Sequence, residues 1–274
     1  MEGYIEVPSG RLFTKSEGDG PPIVLIHAAI VDHRSWDAVV PGLVAAGYRV
    51  IRYDMRGFGR SMALDEDFSD RDDLRAVLDA FGVRQAAAVG NSRGGCVALD
   101  AAIETPDRIV AIVGLGTEPR GFEGSTTPIE DELSAEEERL VSAPVPNPDA
   151  IADLMVRTWV DGPGQPPDRV SPAIREAVRE AARPLYAPGH VAGRRTQLDP
   201  PANARLGDLN CPVLAVVGAL DMVWMVEAAH RLEEAAPNAR AVVWPDVAHL
   251  VGMEQPDRLV ALIADFLAPL RPWA

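Results

Sequence analysis

The chain has 274 residues and a mass of 29.4 kDa, the size of one large α/β domain with room for an inserted segment. Apolar residues make up 47% of it and charged residues 24%, which excludes disordered and collagen-like classes. Against 26 basic residues stand 41 acidic ones, a formal charge of −15, so phosphate backbones and anionic lipid surfaces are repelled and neither nucleic acid nor a membrane is expected as partner.

No apolar run approaches the roughly 18 residues of a membrane span, and Met1-Glu2-Gly3-Tyr4 has no basic patch or apolar run of a signal peptide. A cytoplasmic protein is expected. Cys96 and Cys211 lie in apolar surroundings, outside any CxxC or metal-ligand spacing, and are expected as buried free thiols.

In chain order, Tyr4–Thr14 is expected to form an antiparallel hairpin on a sheet edge, turning at Pro8-Ser9-Gly10. Ile23–Ile26 is a strand, Trp36–Ala46 a helix, and Tyr48–Tyr53 a strand. Arg71–Phe81 is a helix, Ala86–Val89 a strand, Gly94–Ile103 a helix, and Ile109–Leu115 a strand. From Thr117 to Asn210 the rhythm breaks. No strand is expected there, and the segment holds 13 of the 24 prolines, the mark of short helices set by stiff joints. Asn147-Pro148 and Ser171-Pro172 each place an N-cap residue before a proline, which starts helices over Asp149–Val160 and Ala173–Ala187. Val213–Val217 is the next strand, followed by helix Val226–Ala236, strand Ala241–Trp244 and helix Pro256–Leu267.

Strands apolar along their whole length are buried on both faces. Alternating with helices, they imply an α/β fold with a doubly wound, mostly parallel sheet. Residues 1–116 and 211–274 form the core, and residues 117–210 a helical insertion between two core strands.

The sharpest chemical signal is Gly90-Asn91-Ser92-Arg93-Gly94, a G-x-S-x-G between a strand and a helix. Glycines on either side permit a tight turn that lifts a serine above the sheet. The helix that follows aims its N–H groups and positive end at the same point. A serine hydroxyl needs a base to take its proton and a carboxylate to orient that base. Asp221 follows the strand Val213–Val217, and His249 follows Ala241–Trp244, so both stand at the carboxyl edge where such sheets place their sites. Glu118, after Ile109–Leu115, is the alternative acid.

With these features the chain resembles the α/β-hydrolase superfamily along nearly its whole length. His27 with Trp36 nine residues on is similar to the family's H-G-(x)n-W segment, although Ala28 stands where the glycine is usual. Asp54-Met55-Arg56-Gly57-Phe58-Gly59-Arg60-Ser61 resembles its D-x-R-G-x-G-x-S segment. The serine elbow, the acid loop Gly218-Ala219-Leu220-Asp221, and His249 followed by Glu254, Pro256 and an apolar helix complete the likeness. The resemblance implies a helical cap at 117–210, a triad of Ser92, His249 and Asp221, and an oxyanion hole from the backbone N–H groups of Ala29 and Arg93. It implies a serine esterase or lactonase acting on a small-molecule carboxylic ester or lactone, with no cofactor or metal. The oligomeric state stays open. Two other functions stay open as well: hydrolysis of a carbon–carbon bond in a ring-cleavage dienoate, and a slow ligand-binding fold that retains its triad.

Around this centre, Trp159, Tyr186, Met155, Met222, Trp224, Met225 and Met253 are candidates for an apolar pocket, or for the insertion's own core. The Arg93 side chain either meets an acidic substrate group or pairs with Asp54 or Glu118. His27 is expected to be structural, beneath the oxyanion loop. Asp54 and Arg56 are expected to hold a turn, and His33, His190 and His230 to be solvated.

Overall fold

The computed structural model describes residues 1–271 and Trp273. The strands are β1 (Glu2–Val7), β2 (Gly10–Glu17), β3 (Pro22–Ile26), β4 (Arg49–Tyr53), β5 (Met62–Ala63), β6 (Asp67–Phe68), β7 (Ala86–Asn91), β8 (Ile109–Leu115), β9 (Arg194–Arg195), β10 (Val213–Gly218) and β11 (Ala239–Trp244). The helices are α1 (Val40–Ala45), α2 (Asp70–Ala80), α3 (Arg93–Glu104), α4 (Pro128–Val141), α5 (Pro148–Met155), α6 (Pro172–Ala182), α7 (Val223–Ala235), α8 (Val251–Glu254) and α9 (Pro256–Leu267). No described helix is long and apolar enough to cross a membrane.

The main sheet runs β1-β2-β4-β3-β7-β8-β10-β11, with β5 on the side of β2. β1 and β2 form the expected antiparallel edge hairpin, and every pairing from β4 to β11 is parallel. The central strands β3, β7 and β10 are buried at every position, as their unbroken apolar runs require. Two layers of helices cover the sheet. Leu74, Val77 and Leu78 of α2, Val97 and Ala98 of α3, and Met225, Ala229 and Leu232 of α7 pack on one face. Val40 and Leu43 of α1 and Leu259, Ile263 and Leu267 of α9 pack on the other. Spaced four apart, the three α9 residues share one stripe, and burying each side chain is worth about 1.5–3 kcal/mol.

Most expected elements lie within three residues of their observed bounds. The helix expected over Trp36–Ala46 is shorter. A 3₁₀ turn occupies His33–Trp36, and α1 starts only at Val40, because Pro41 is tolerated in a first turn but not in a helix interior.

Residues 117–210 contain α4, α5 and α6. The α5 helix continues as a π-helical turn over Val156–Asp161, and α6 as a 3₁₀ turn over Arg183–Tyr186. The α4 helix was not among the expected starts, although Thr127-Pro128 repeats the pattern of the other two. Glu130 fixes its first turn by accepting the Thr127 N–H at 2.8 Å, and reaches the Val223 N–H of α7 at 2.6 Å. The segment is not free of strand either. Its residues Arg194–Arg195 pair in parallel with β6 as a two-residue ladder. Its apolar side chains, among them Ile151, Leu154, Val160 and Val178, bury themselves together with Ile30 and Val31 after β3 and Leu250 beside His249.

Candidate active site

Ser92 stands between β7 and α3 with φ 53° and ψ −119°, a conformation that costs a non-glycine residue on the order of 1–3 kcal/mol. The surroundings hold it there. Its N–H donates to the Leu115 carbonyl at 2.7 Å, and its carbonyl accepts the Cys96 N–H at 3.1 Å. A Cβ at Gly90 would overlap the Gly94 backbone, and one at Gly94 the Ile26 carbonyl, so both motif glycines are required by close approach.

His249 and Asp221 are buried side by side, with His249 Nδ1 donating to Asp221 Oδ2 at 2.7 Å. Asp221 Oδ1 accepts the Met222 N–H at 2.8 Å, which fixes the carboxylate. With Nδ1 donating, the lone pair of the neutral ring lies on Nε2. Glu118 is half-buried and has no such bond to His249. Burial raises its pKa, and its backbone carbonyl accepts the Cys96 thiol at 3.1 Å. Asn91, beside the serine, donates to the carbonyls of both Leu115 (3.0 Å) and His249 (3.1 Å), tying the elbow to the histidine loop. Gly116, at the end of β8, has φ +48°, and a Cβ there would lie 2.8 Å from His249 Nδ1 and 2.9 Å from Asp221 Oδ2.

Ser92 and His249 open onto a cavity of about 180 Å³, lined also by Ala28, Ala29, Ile30, Glu137, Met155, Trp159 and Tyr186. The Trp159 ring packs on His249 with centroids 4.6 Å apart. Trp159 and Tyr186 thus both line the cavity onto which Ser92 opens. Met222 and Trp224 do not line this cavity. Met222 is buried in the sheet-facing core with Met225 and Ala229, and Trp224 meets the edge of Trp159 at 6.4 Å. Sequence reasoning missed Glu137 and Gly116. A glycine closing a strand at the carboxyl edge was a readable signal for Gly116, whereas nothing local distinguishes Glu137 from its acidic neighbours.

His27 is structural, as expected: Nδ1 donates to the Ala28 carbonyl at 2.8 Å and Nε2 accepts the Met55 N–H at 2.9 Å. Full burial lowers its pKa. Arg56 grips Asp73 through two bonds of 2.7 Å. The Arg93 side chain pairs with Asp70 at 2.8 Å, neither with Asp54 nor with Glu118, because α2 brings Asp70 beneath it. His33 is buried, not solvated, since its ring and backbone N–H groups both donate to Asp54 Oδ1, at 2.7 and 2.8 Å. Cys96 and Cys211 are buried free thiols, each pushed by burial to about 11.

Larger clefts exist, one of about 590 Å³ between Arg34, Arg60 and Glu180. It contains Ser61 and His33, but the Ser61 hydroxyl already donates to the Asp54 carbonyl at 2.6 Å. Asp32, His33 and Asp54 bring three ligand-type atoms within 4.8 Å of one another. They too are committed to protein partners, Asp32 to Arg34 and Asp54 to His33 and the Arg60 N–H.

One arginine joins the insertion to the histidine loop. Arg169 donates to the carbonyls of Val160 and Asp161 on its own segment, and to Glu254 and the Asp246 carbonyl on the other side. Glu254 in turn accepts the Ala248 N–H at 2.9 Å, one residue before His249.

A strand–elbow–helix serine and a histidine–carboxylate pair at the carboxyl edge of a doubly wound sheet define an α/β-hydrolase architecture. The family described as alpha/beta hydrolase fold matches residues 21–256, and the chain belongs to that family. It is 26% identical, over 94% of its length and 96% of the relative's, to a pimeloyl-[acyl-carrier protein] methyl ester esterase of Aliivibrio salmonicida. It is 29% identical to the rhodomycin D methylesterase DauP of a Streptomyces species, over 92% and 96% of the two chains. Among solved structures it is similar to a thermophilic esterase from Thermogutta terrifontis, with a TM-score of 0.76, 25% identity and coverage of 99% and 100%.

Proposed function

We propose that the protein is a serine hydrolase of carboxylic esters or lactones, with Ser92 as nucleophile, His249 as base and Asp221 as orienting acid. The observation that carries this is the 2.7 Å bond from His249 to Asp221 beside the cavity that Ser92 lines. Ser92 Oγ attacks the substrate carbonyl and its proton passes to His249 Nε2. Asp221 holds the tautomer and stabilises the imidazolium that forms. The carbonyl oxygen gains negative charge and is met by the backbone N–H groups of Ala29 and Arg93, each such donor being worth about 3–4 kcal/mol. His249 then protonates the departing alcohol, and water, activated by the same ring, cleaves the acyl–serine ester. Ala29 lines the cavity, and Arg93 is the first residue of α3, whose N–H has no partner within the helix.

The two full-length curated relatives named above are methyl ester esterases, which supports a small alcohol as leaving group. The 94-residue segment Thr117–Asn210 is proposed as a cap, since it supplies Glu137, Met155, Trp159 and Tyr186 over Ser92. Replacement Ser92→Ala tests the mechanism. Turnover of short aryl and methyl esters is expected to be abolished, together with labelling by a fluorophosphonate, while the melting temperature stays nearly unchanged. Turnover within tenfold of the parent would overturn it.

A further inference from the structure

The cavity carries one charge that the chemistry above does not use. Glu137, on α4, lines it together with Ser92 and His249 and is half-buried. Among the described residues no cation or hydrogen-bond donor pairs with its carboxylate. Three acids on α4 and α5 are paired, Glu136 with Arg157, Asp153 with Arg179 and Asp149 with Arg183, whereas Glu137 faces the cavity. Burial alone pushes the Glu137 carboxyl above its ordinary range. Two aromatic side chains, Trp159 and Tyr186, share the lining. Tyr186 is near enough to feel the carboxylate, whose charge adds to burial in raising the phenol to about 12.

An organic ammonium satisfies all three groups at once. Its charge neutralises the half-desolvated carboxylate, and its polarised methyl or methylene groups are attracted to aromatic faces. A neutral group of the same shape leaves the carboxylate unpaired, and an anion is repelled. At about 180 Å³ the cavity falls below the roughly 300–1,000 Å³ of drug-sized sites, so the ligand is small. The net charge of −15 draws cations toward the whole molecule.

We propose that the substrate is a small ester or lactone bearing an ammonium or protonated amine, held by Glu137 between Trp159 and Tyr186. This specificity rests on the ester-hydrolase function proposed above. The test compares kcat/KM within two isosteric pairs, each normalised to hydroxide hydrolysis. Acetylcholine against 3,3-dimethylbutyl acetate places the charge on the alcohol side. Betaine methyl ester against methyl 3,3-dimethylbutanoate places it on the acyl side. In the parent the cationic member of at least one pair is expected to lead by about tenfold, some 1.4 kcal/mol. In Glu137→Gln the ratio should fall to about one. A parent ratio at or below one in both pairs, or an unchanged ratio in Glu137→Gln, overturns the proposal. Ligand binding gives an answer independent of turnover. Calorimetric titration with tetramethylammonium chloride should give heat in the parent and little in Glu137→Gln, with 3,3-dimethylbutanol alike in both. Absence of Glu137-dependent heat overturns the ammonium site, whereas failure of Ser92 to react with a fluorophosphonate overturns the hydrolase function instead.

Discussion

Gly116→Ala should cripple the enzyme from a position that touches no substrate. At φ +48° an alanine is strained by about 1–2 kcal/mol. Its methyl carbon would also sit 2.8 Å from His249 Nδ1 and 2.9 Å from Asp221 Oδ2, the two atoms joined by the 2.7 Å bond. Neither is the free end of a flexible chain. Both side chains are buried and hydrogen-bonded, so the methyl wedges them apart, with an overpacking penalty of about 1–3 kcal/mol. The sum, about 2–5 kcal/mol, sits within the 5–15 kcal/mol stability of an ordinary domain, so the variant is expected to fold. Catalysis suffers more. A base that has lost its orienting carboxylate loses about 10³- to 10⁴-fold in turnover. The assay is kcat/KM on a short aryl ester, with near-ultraviolet circular dichroism as the fold check. Gly207→Ala serves as control, since a Cβ there meets nothing within 4 Å. Activity of Gly116→Ala within tenfold of the parent would refute the placement of His249 and Asp221 as a working pair.

Asp221→Asn should lose about four orders of magnitude in kcat, and Glu118→Gln less than tenfold; the reverse pattern in steady-state kinetics would move the acid to Glu118. Trp159→Ala and Tyr186→Ala should each reorder a panel of esters and lactones by tenfold or more, about 1.4 kcal/mol of differential transition-state binding, as measured by kcat/KM ratios. His27 is buried neutral with a lowered pKa, so the unfolded chain takes up its proton first as pH falls. Its contribution to stability is complete above the ordinary histidine value of about 6.5 and is lost as pH drops below it toward the folded-state value. Thermal melts from pH 8 to 5 should therefore fall less steeply for His27→Gln than for the parent.

The strands and the elbow were legible because their causes are local. An apolar run with glycine and a helix start after it leaves one arrangement open, and Ala86–Asn91 leads into Ser92 accordingly. Partners brought from distant segments were not legible. Arg93 had two proposed acids and took a third, because the placement of Asp70 depends on how α2 packs. His33 read as a solvated loop histidine, yet Asp54, 21 residues on, buries it. Met222 and Trp224 follow the acid immediately in sequence, but α7 turns Met222 into the sheet-facing core and sets Trp224 against Trp159. Glu137 is one of three consecutive glutamates on a solvated-looking helix, and only the docking of α4 shows which of them looks inward.

The clasp made by Arg169 bears on how such a protein can change specificity. A segment inserted between two core strands looks exchangeable, and grafting one from a relative is an obvious route to a new substrate range. Here the same guanidinium holds Val160 and Asp161 on one side and Glu254 on the other, and Glu254 holds the Ala248 N–H beside the base. A graft that leaves out Arg169 strands a buried Glu254 carboxylate and loosens the residue before His249. Chimeras would then lose turnover for reasons unrelated to substrate fit, and a search for new activities among them would discard pockets of the right shape. Evolution of this segment is accordingly expected to proceed by single side chains lining the Ser92 cavity more readily than by replacement of the whole segment.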